Sequence, residues 1–497
     1  LVVNLPRVKK ELDREIAERE RLFLSVIPAS LYEKPEELAE LKGLLKTREE
    51  RELTGKARHM LKAKRLLGSN DKFAELLRAE GVEPPRKISK AWILKKPHER
   101  DDSKKWTYAF AKDDAEFVNL PDDVEKLGVG LNLNSKRGLE ALLARQERMR
   151  LLVDCRLAVK STTNITRAQR FLEAGKDGMK LPAGYAYARA HTLRWGGMNK
   201  MNLQNLTRGG ELRQAIEAGD GHELAVVDSG QIEARVNGWL WGQNDLLAAF
   251  VAADKWDDSR GVARGADRDA YCKFADIVYG REITKNDKTE RFVGKVCVLG
   301  LGFQMGPAKL QVTLAKGALG GPPVFFTLDK CKEIVAAYRV TNHKIAAGWK
   351  RCQGIIEDMA AGREGEWKCL RWAKETIFLP NGLTLKYPKL TKSLNEDTGW
   401  EEWSYMAGEV KKKLYGGLLC ENIIQALARI IVGLQMLAIS KKYRVVMTTH
   451  DEVVARVLKR FAEKALTVMI DIMRTPPVWA PDLPLNAEGG HAHNYSK

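Results

Sequence analysis

Two acidic stretches, far apart in the chain and each set at the end of an apolar run, constrain this fold more than any other feature. Asp228-Ser229-Gly230-Gln231-Ile232-Glu233-Ala234-Arg235 follows Leu224-Ala225-Val226-Val227. His450-Asp451-Glu452 lies between Val445-Val446-Met447 and Val453-Val454-Ala455. Short apolar runs bounded by polar residues predict buried strands, so each carboxylate is expected at a strand end. Such a group is rigidly aimed yet reaches water, which a hard divalent cation bound through oxygen requires. Asp is also common in turns, and either stretch alone reads equally well as a simple strand terminus. Brought together, the two can hold a pair of metal ions ~4 Å apart, which stabilises both oxygens of an in-line phosphoryl displacement.

The charge balance narrows the partners. The 497 residues carry 83 Lys and Arg against 65 Asp and Glu, a net charge of +18. That much uncompensated positive charge predicts a polyanion, nucleic acid first. Basic residues crowd together at Lys56, Arg58, Lys62, Lys64 and Arg65, and again at Arg86, Lys87, Lys90, Lys95 and Lys96. For either cluster a merely solvated face is the alternative. No long apolar segment is read here, so a membrane partner is not expected. Seven scattered cysteines without a Cys-x-x-Cys pair predict reduced thiols in the cytoplasm and no structural zinc. No signal peptide is read, and the first residue is Leu1 rather than Met, as in a processed product or a fragment.

A chain of this length should divide into about three subdomains. Residues from Pro6 to Arg65 predict long charged helices. Ser69 or Asn70 can cap the next helix, whose apolar stripe is Phe73, Leu76 and Leu77, with Gly81 and Pro84-Pro85 as its stop. A helix from Leu139 to Leu152 leads into Arg156–Thr162. Helical patterns fill Leu246 to Ala361, Pro380-Asn381-Gly382 predicts a hairpin, and a helix from Glu421 to Ser440 precedes the second acidic stretch.

Between the acidic stretches lies Arg291-Phe292-Val293-Gly294-Lys295-Val296-Cys297-Val298-Leu299-Gly300-Leu301-Gly302-Phe303. Arg291, Lys295, Leu299 and Phe303 are spaced by four and form one stripe on a helix. Two cations followed by two apolar groups offer charge to a triphosphate and a greasy surface to a base. An ordinary core helix with two snorkelling cations is the plain alternative. A dinucleotide fingerprint at Gly300-Leu301-Gly302 fails on the spacing of its third glycine and the missing acid ~20 residues on.

Asp228-x-x-Gln231-Ile232-Glu233-x-Arg235, then Arg291-x-x-x-Lys295, then His450-Asp451-Glu452 resemble, in order and spacing, the three polymerase motifs of family A DNA polymerases, the DNA polymerase I group. The likeness is closer to the bacteriophage enzymes, through Ala190-His191-Thr192, Arg194-Trp195, Asn202-Leu203-Gln204-Asn205-Leu206, Gly294-Lys295-Val296 and Glu421-Asn422-x-x-Gln425-Ala426. The resemblance implies an α+β right-hand fold, with an antiparallel-sheet palm and mainly helical thumb and fingers. Residues 1–170 would form the thumb and a palm-proximal segment, 171–236 the first part of the palm, 237–404 the fingers and 405–497 the rest of the palm.

The same resemblance implies a DNA-directed DNA polymerase that extends a primer 3′ end with two Mg²⁺ ions, replaceable by Mn²⁺. Asp228 and Asp451, with the Ser229 carbonyl, would hold the metals. Arg291, Lys295, Gln231 and Tyr271 would bind the incoming triphosphate, Lys295 also serving as acid for the pyrophosphate. Glu233 would be the steric gate against a 2′-hydroxyl, with Leu299 and Phe303 beside the nucleotide. Arg194, Gln425 and His450 would touch the nascent pair or primer terminus; Asn202, Gln204, Lys160, Ser161 and Thr162 would hold primer-template DNA. Four residues depart from the family pattern: Phe303 for Tyr, Leu299 for Phe or Tyr, Tyr271 for His, and Leu193 where Gly is usual. These bear on fidelity and sugar selectivity.

Three rivals remain: a single-subunit RNA polymerase, to which a gate at Glu233 is useless; a metal-dependent nuclease, which has no task for Arg291 and Lys295; and a non-catalytic DNA-binding protein. No spare acidic strand pair is read for a 3′–5′ exonuclease, so no excision is expected. The expected setting is a monomer in the cytoplasm of an infected bacterial host, working with DNA, dNTPs and accessory replication proteins.

Overall fold

The structure, a computed structural model, describes residues 1–26, 55–89, 92, 99–111, 114–178, 180–199, 201–254, 256–257, 262–263, 268–317, 321–395 and 399–496. Its two compact units are Leu5–Glu173, and Leu1–Asn4 together with Ala174–Lys497. The first four residues therefore do not join the helical segment that follows them. Val2 and Val3 pair antiparallel with Glu217 and Ile216 instead.

The Leu5–Glu173 unit is mainly helical: α1 (Leu5–Val26), α2 (Gly55–Gly68), α3 (Asn70–Ala79), α4 (Lys136–Lys160) and α5 (Thr163–Ala174) are its long elements. The part of the expected helical run that falls on 27–54 lies outside the described residues. Ser69 caps α3, its hydroxyl accepting from the Lys72 amide, and Phe73 and Leu77 are buried beneath. The helix expected to end at Leu152 continues to Lys160. Arg156, which reads as one more basic residue, is 1% exposed. Its guanidinium donates to the carbonyls of Leu67 and Ser69 and lies over the Phe73 and Phe110 rings. A buried charge of this kind needs several partners to offset desolvation, and this one staples α4 to the start of α3.

Two basic clusters were read either as merely solvated faces or as surfaces toward a polyanion. The side chains of Lys56, Arg58 and Lys62, and residues Lys90, Lys95 and Lys96, lie outside the described residues. Among the described members, Lys87 is bonded to both Asp114 oxygens, and Arg86 lies over the Tyr108 ring. The second cluster is thus partly spent on internal contacts.

In the larger unit, an antiparallel four-stranded sheet carries both acidic stretches. Its strands are β1 (His222–Ser229), β2 (Arg444–Thr449), β3 (Glu452–Leu458) and β4 (Ala487–Ala492), ordered β2-β3-β1-β4. The inner pair is fixed in register by Val453 opposite Val227 and Val454 opposite Val226. All four valines are buried. A one-residue slip would turn this set to the wrong face, at about 1.5–3 kcal/mol for each valine exposed.

Helices cover the sheet and continue away from it. After β1 come α6 (Ile232–Trp241), α7 (Ala270–Tyr279), α8 (Lys288–Val296), α9 (His343–Ala361) and α10 (Gly416–Ser440), and after β3 comes α11 (Ala462–Arg474). The hairpin at Pro380-Asn381-Gly382 is present, with Phe378 opposite Thr384. Contrary to the sequence reading, one segment among the described residues is long and apolar enough to cross a membrane: α10. Ile423, Ile424, Leu427, Ile431 and twelve more of its residues are buried among α6, α9 and the sheet, which makes it a core helix. The fold is α+β, as expected.

Candidate active site

Strand pairing brings the two acids together. Asp228 lies opposite Glu452 in the β1–β3 ladder. The Ser229 amide donates to the Asp451 carbonyl at 3.0 Å, so Asp451 sits in the β2–β3 turn directly against the end of β1. His450, beside it, takes the left-handed φ of +52° that closes this tight turn. Burial pushes the Asp451 carboxyl above its ordinary range, with Arg194 and Arg208 opposing that shift and Glu452 adding to it.

Glu452, the cross-strand partner of Asp228, is buried in a hydrogen-bonded network. Arg213 donates to it at 3.0 Å and the Tyr495 hydroxyl donates to its other oxygen. The Arg213 guanidinium lies 3.7 Å from the Tyr495 ring centroid, and the Thr448 hydroxyl donates to the Glu452 carbonyl. Behind β1, Arg235 is fully buried; it donates to the Gly230 carbonyl, to both Asp254 oxygens and to the Gln231 side chain. These contacts lock the elbow from β1 to α6. Gln231, expected at the triphosphate, has its side-chain oxygen committed to Arg235.

The cationic helix departs from the expected continuous stripe. Only Lys288–Val296 is α-helical; Cys297–Leu301 forms a π-helical turn before the chain leaves the axis near Gly302. Arg291, Lys295, Leu299 and Phe303 stay partly exposed while most of the residues between them are buried. A widened turn nevertheless shifts Leu299 and Phe303 from ideal four-residue spacing. Gly294 presses against α7: a Cβ there would lie 2.0 Å from the Tyr271 carbonyl oxygen.

Most site cations are engaged. Arg291 donates through Nε to Asp269 at 3.0 Å, and Asp269 caps α7 by accepting from the Tyr271 and Cys272 amides. Arg194, expected on DNA, donates to Glu233, the expected sugar gate. Phe303 cannot hold that carboxylate, and Arg194 does so instead. Arg208, which the sequence reading passed over, stands 3.7 Å from Asp228. Burial lowers the Lys295 ammonium below its ordinary value; Arg291 and Arg208 lower it further, while Asp228 and Asp451 oppose them. The same four side chains therefore share one electrostatic neighbourhood.

Two of the expected ligand contacts, Tyr271 and Gln204, are buried. Tyr271 is 5% exposed in the core, with Arg291 over its ring, and Gln204 is 8% exposed. Asn202 accepts from the Gln204 amide, and Gln425 donates to Glu421 one turn away. His450 is exposed, and desolvation of its ring together with Arg194 holds the imidazole below its ordinary value. Leu193, unusual where glycine is expected, does adopt a left-handed φ of +62°, a strained conformation immediately before Arg194. Lys160, Ser161 and Thr162 belong to the other unit, where Lys160 donates to the Gly68 carbonyl and Ser161 ends α4.

The donor set at the strand ends is all oxygen: Asp228, Asp451 and the Ser229 carbonyl. It fits a hard cation such as Mg²⁺ that keeps water and phosphate ligands. Among the described residues there is no group of three or more His, Cys, Asp or Glu side chains able to enclose a metal.

Arg208, Asp269, Arg213 and Tyr495 were missed because each works through a partner distant in sequence. Only Asp269 left a local signal, as an acid one residue before a helix start.

The sequence matches no family model. It is 31% identical over 303 residues to a DNA polymerase of Bacillus phage SP02, covering 58% of this chain and 43% of that polymerase. The match thus spans less than half of the relative's length. The structure is similar to the POL domain of Pol1 from M. smegmatis, solved in complex with DNA primer-template and dNTP. That likeness has a TM-score of 0.60 at 16% identity and covers 100% of this chain and 67% of the other. In fold the chain is similar to that POL domain, and in sequence part of it is similar to a phage DNA polymerase.

Proposed function

We propose that the chain is a DNA-directed DNA polymerase that adds deoxynucleotides to a primer 3′ end by two-metal-ion nucleotidyl transfer. The observation that carries this reading is the juxtaposition of Asp228 and Asp451 at adjoining strand ends, within electrostatic reach of Lys295. The phage relative and the polymerase-domain fold support it. Asp228, Asp451 and the Ser229 carbonyl would hold Mg²⁺, or Mn²⁺ in its place. Metal bound there would lower the charge on the attacking 3′-oxygen and the leaving pyrophosphate.

The chain's own residues supply the rest. Arg291 exchanges Asp269 for the triphosphate, and Lys295 contacts it and gives up a proton to the leaving pyrophosphate. A lysine whose ammonium is destabilised by burial releases that proton more readily. Glu233, held by Arg194, occupies the space of a ribose 2′-hydroxyl. His450 and Gln425 would contact the primer terminus, Asn202 would contact primer-template DNA, and Lys160, Ser161 and Thr162 of the other unit would do so through phosphates. In this reading residues 1–170 contain the thumb, 171–236 and 405–497 the palm and 237–404 the fingers. Mismatched 3′ ends are not excised by these 497 residues. Accessory replication proteins and the cytoplasm of an infected bacterium belong to the same proposal.

Primer extension with Mg²⁺ tests it. Deoxynucleotides should be incorporated and ribonucleotides rejected, and Asp228→Asn or Asp451→Asn should abolish extension while primer-template binding persists. Residual extension within about tenfold of the unaltered chain would remove the assignment. Preferential ribonucleotide use would point to RNA synthesis.

A further inference from the structure

Arg208 lies in a polar loop, Thr207-Arg208-Gly209-Gly210, closed by a hydrogen bond from the Gly210 amide to the Thr207 carbonyl at 2.9 Å. Gly209 carries the positive φ of +75° that this turn needs. The loop holds a guanidinium 3.7 Å from Asp228 Oδ2 while 65% of the side chain stays exposed. Its charge also reaches Asp451 and Lys295. Arg208 is therefore a cation of the acid pair that belongs neither to the β1–β3 sheet nor to the Arg291–Phe303 segment.

We propose that Arg208 is a tethered counter-cation of the carboxylate pair, which a divalent ion must displace on entering. This rests on the metal-binding reading of Asp228 and Asp451. Two carboxylates brought to adjoining strand ends repel each other, and a nearby guanidinium relieves that repulsion while no metal ion is bound. A doubly charged ion arriving at the same oxygens meets both their attraction and the repulsion of Arg208. At 3.7 Å, on a side chain so exposed, the ion pair is weak and solvent-screened. The guanidinium can swing away on its loop without breaking the sheet. Arg208 thus sets how tightly the acid pair binds metal; it is a positioning residue for charge, and the ligands are others.

Manganese binding to the whole chain, without DNA or nucleotide, reads this directly, with the free ion measured by electron paramagnetic resonance. Arg208→Ala and Arg208→Gln should bind Mn²⁺ about three- to tenfold more tightly at low salt, the gain shrinking as salt rises. Arg208→Lys should stay close to the unaltered chain. Circular dichroism confirms that each variant is folded. If Asp228→Asn abolishes Mn²⁺ binding but Arg208→Ala does not tighten it, the counter-cation role is wrong and the metal reading stands. If Asp228→Asn leaves Mn²⁺ binding intact, both fall together. Weaker binding in Arg208→Ala also overturns the proposal, since it would make Arg208 a support of the metal site.

Discussion

Asp228 and Asp451 are placed by hydrogen-bonded strands, whereas Arg291, Arg194 and Arg208 are placed by ion pairs with Asp269, Glu233 and Asp228. The acid side cannot shift without moving the buried valine ladder, at several kcal/mol. The cationic side is held by single ion pairs, of which the exposed Arg208–Asp228 pair contributes at most about 1 kcal/mol. A carboxylate pair must be in place before a metal arrives. Cations that bind phosphate need only be stored near their work and released to it. The contrast between rigid acids and exchangeable cations orders the tests below.

The largest expected effect falls on the packing that carries the cationic helix. A Cβ on residue 294 would lie 2.0 Å from the Tyr271 carbonyl and 3.2 Å from the Ala275 Cβ, and backbone cannot yield as a side chain can. Gly294→Ala should cost about 3 kcal/mol or more, at the upper end of overpacking penalties. Urea unfolding would measure it. A loss below about 1 kcal/mol would mean that α7 and α8 slide freely, and that the cationic side owes little to packing.

Next comes the face that α8 and its π turn present. By the resemblance to family A enzymes, a Tyr at position 299 lets an incoming nucleotide without a 3′-hydroxyl be accepted; Leu offers no hydrogen bond. The unaltered chain should reject dideoxynucleotides and Leu299→Tyr should accept them. A hydrogen bond to a charged group contributes ~1.5–3 kcal/mol, or roughly one to two orders of magnitude in the ratio of kcat/KM values. An unchanged ratio would show that the π turn carries Leu299 away from the sugar.

What the sequence disclosed follows the same division. Val226-Val227-Asp228 and Val453-Val454 could be read as strands with acids at their ends because period and burial are local properties of a chain. The partner of Asp228 within the sheet could be named only through a resemblance, since strand pairing is long-range. The Arg291–Phe303 segment was legible as a helix, but its π turn was not, because five-residue hydrogen bonding leaves no mark on a four-residue pattern. Ion pairs were the least legible. Arg194 reads as a DNA contact and Arg156 as one more basic residue, yet one bonds Glu233 and the other is buried in a core. A charged residue in a sequence announces a partner without saying whether that partner is external.

On the acid side, the Tyr495 hydroxyl donates to buried Glu452, directly opposite Asp228 in the ladder. Tyr495→Phe keeps the shape and removes the donor. Glu452 keeps Arg213, so the cost should be about 1–2 kcal/mol, read as a lower melting temperature. The dideoxynucleotide ratio should stay unchanged, because the change touches the sheet and not α8. A shift in that ratio would show the two sides to be coupled.

The smallest effect asks whether an ion pair on the sheet itself is as weak as the exposed Arg208–Asp228 pair. His491, on edge strand β4, bonds Glu223 through Nδ1 and Glu463 through Nε2 at 2.9 Å. The hydrogen bond to Glu223, then that to Glu463, raises the imidazole above its ordinary value of 6.5. A raised folded value means that the charged pair stabilises the fold fully below the unfolded value and ceases to do so as pH rises through the folded one. His491→Gln should therefore lower stability by about 1 kcal/mol or less under mildly acidic conditions and leave it unchanged in mildly alkaline buffer. Unfolding free energies of both proteins on either side of that window decide the matter. A difference that persists at alkaline pH would place the contribution of His491 in its packing, and the sheet would then owe nothing to that pair.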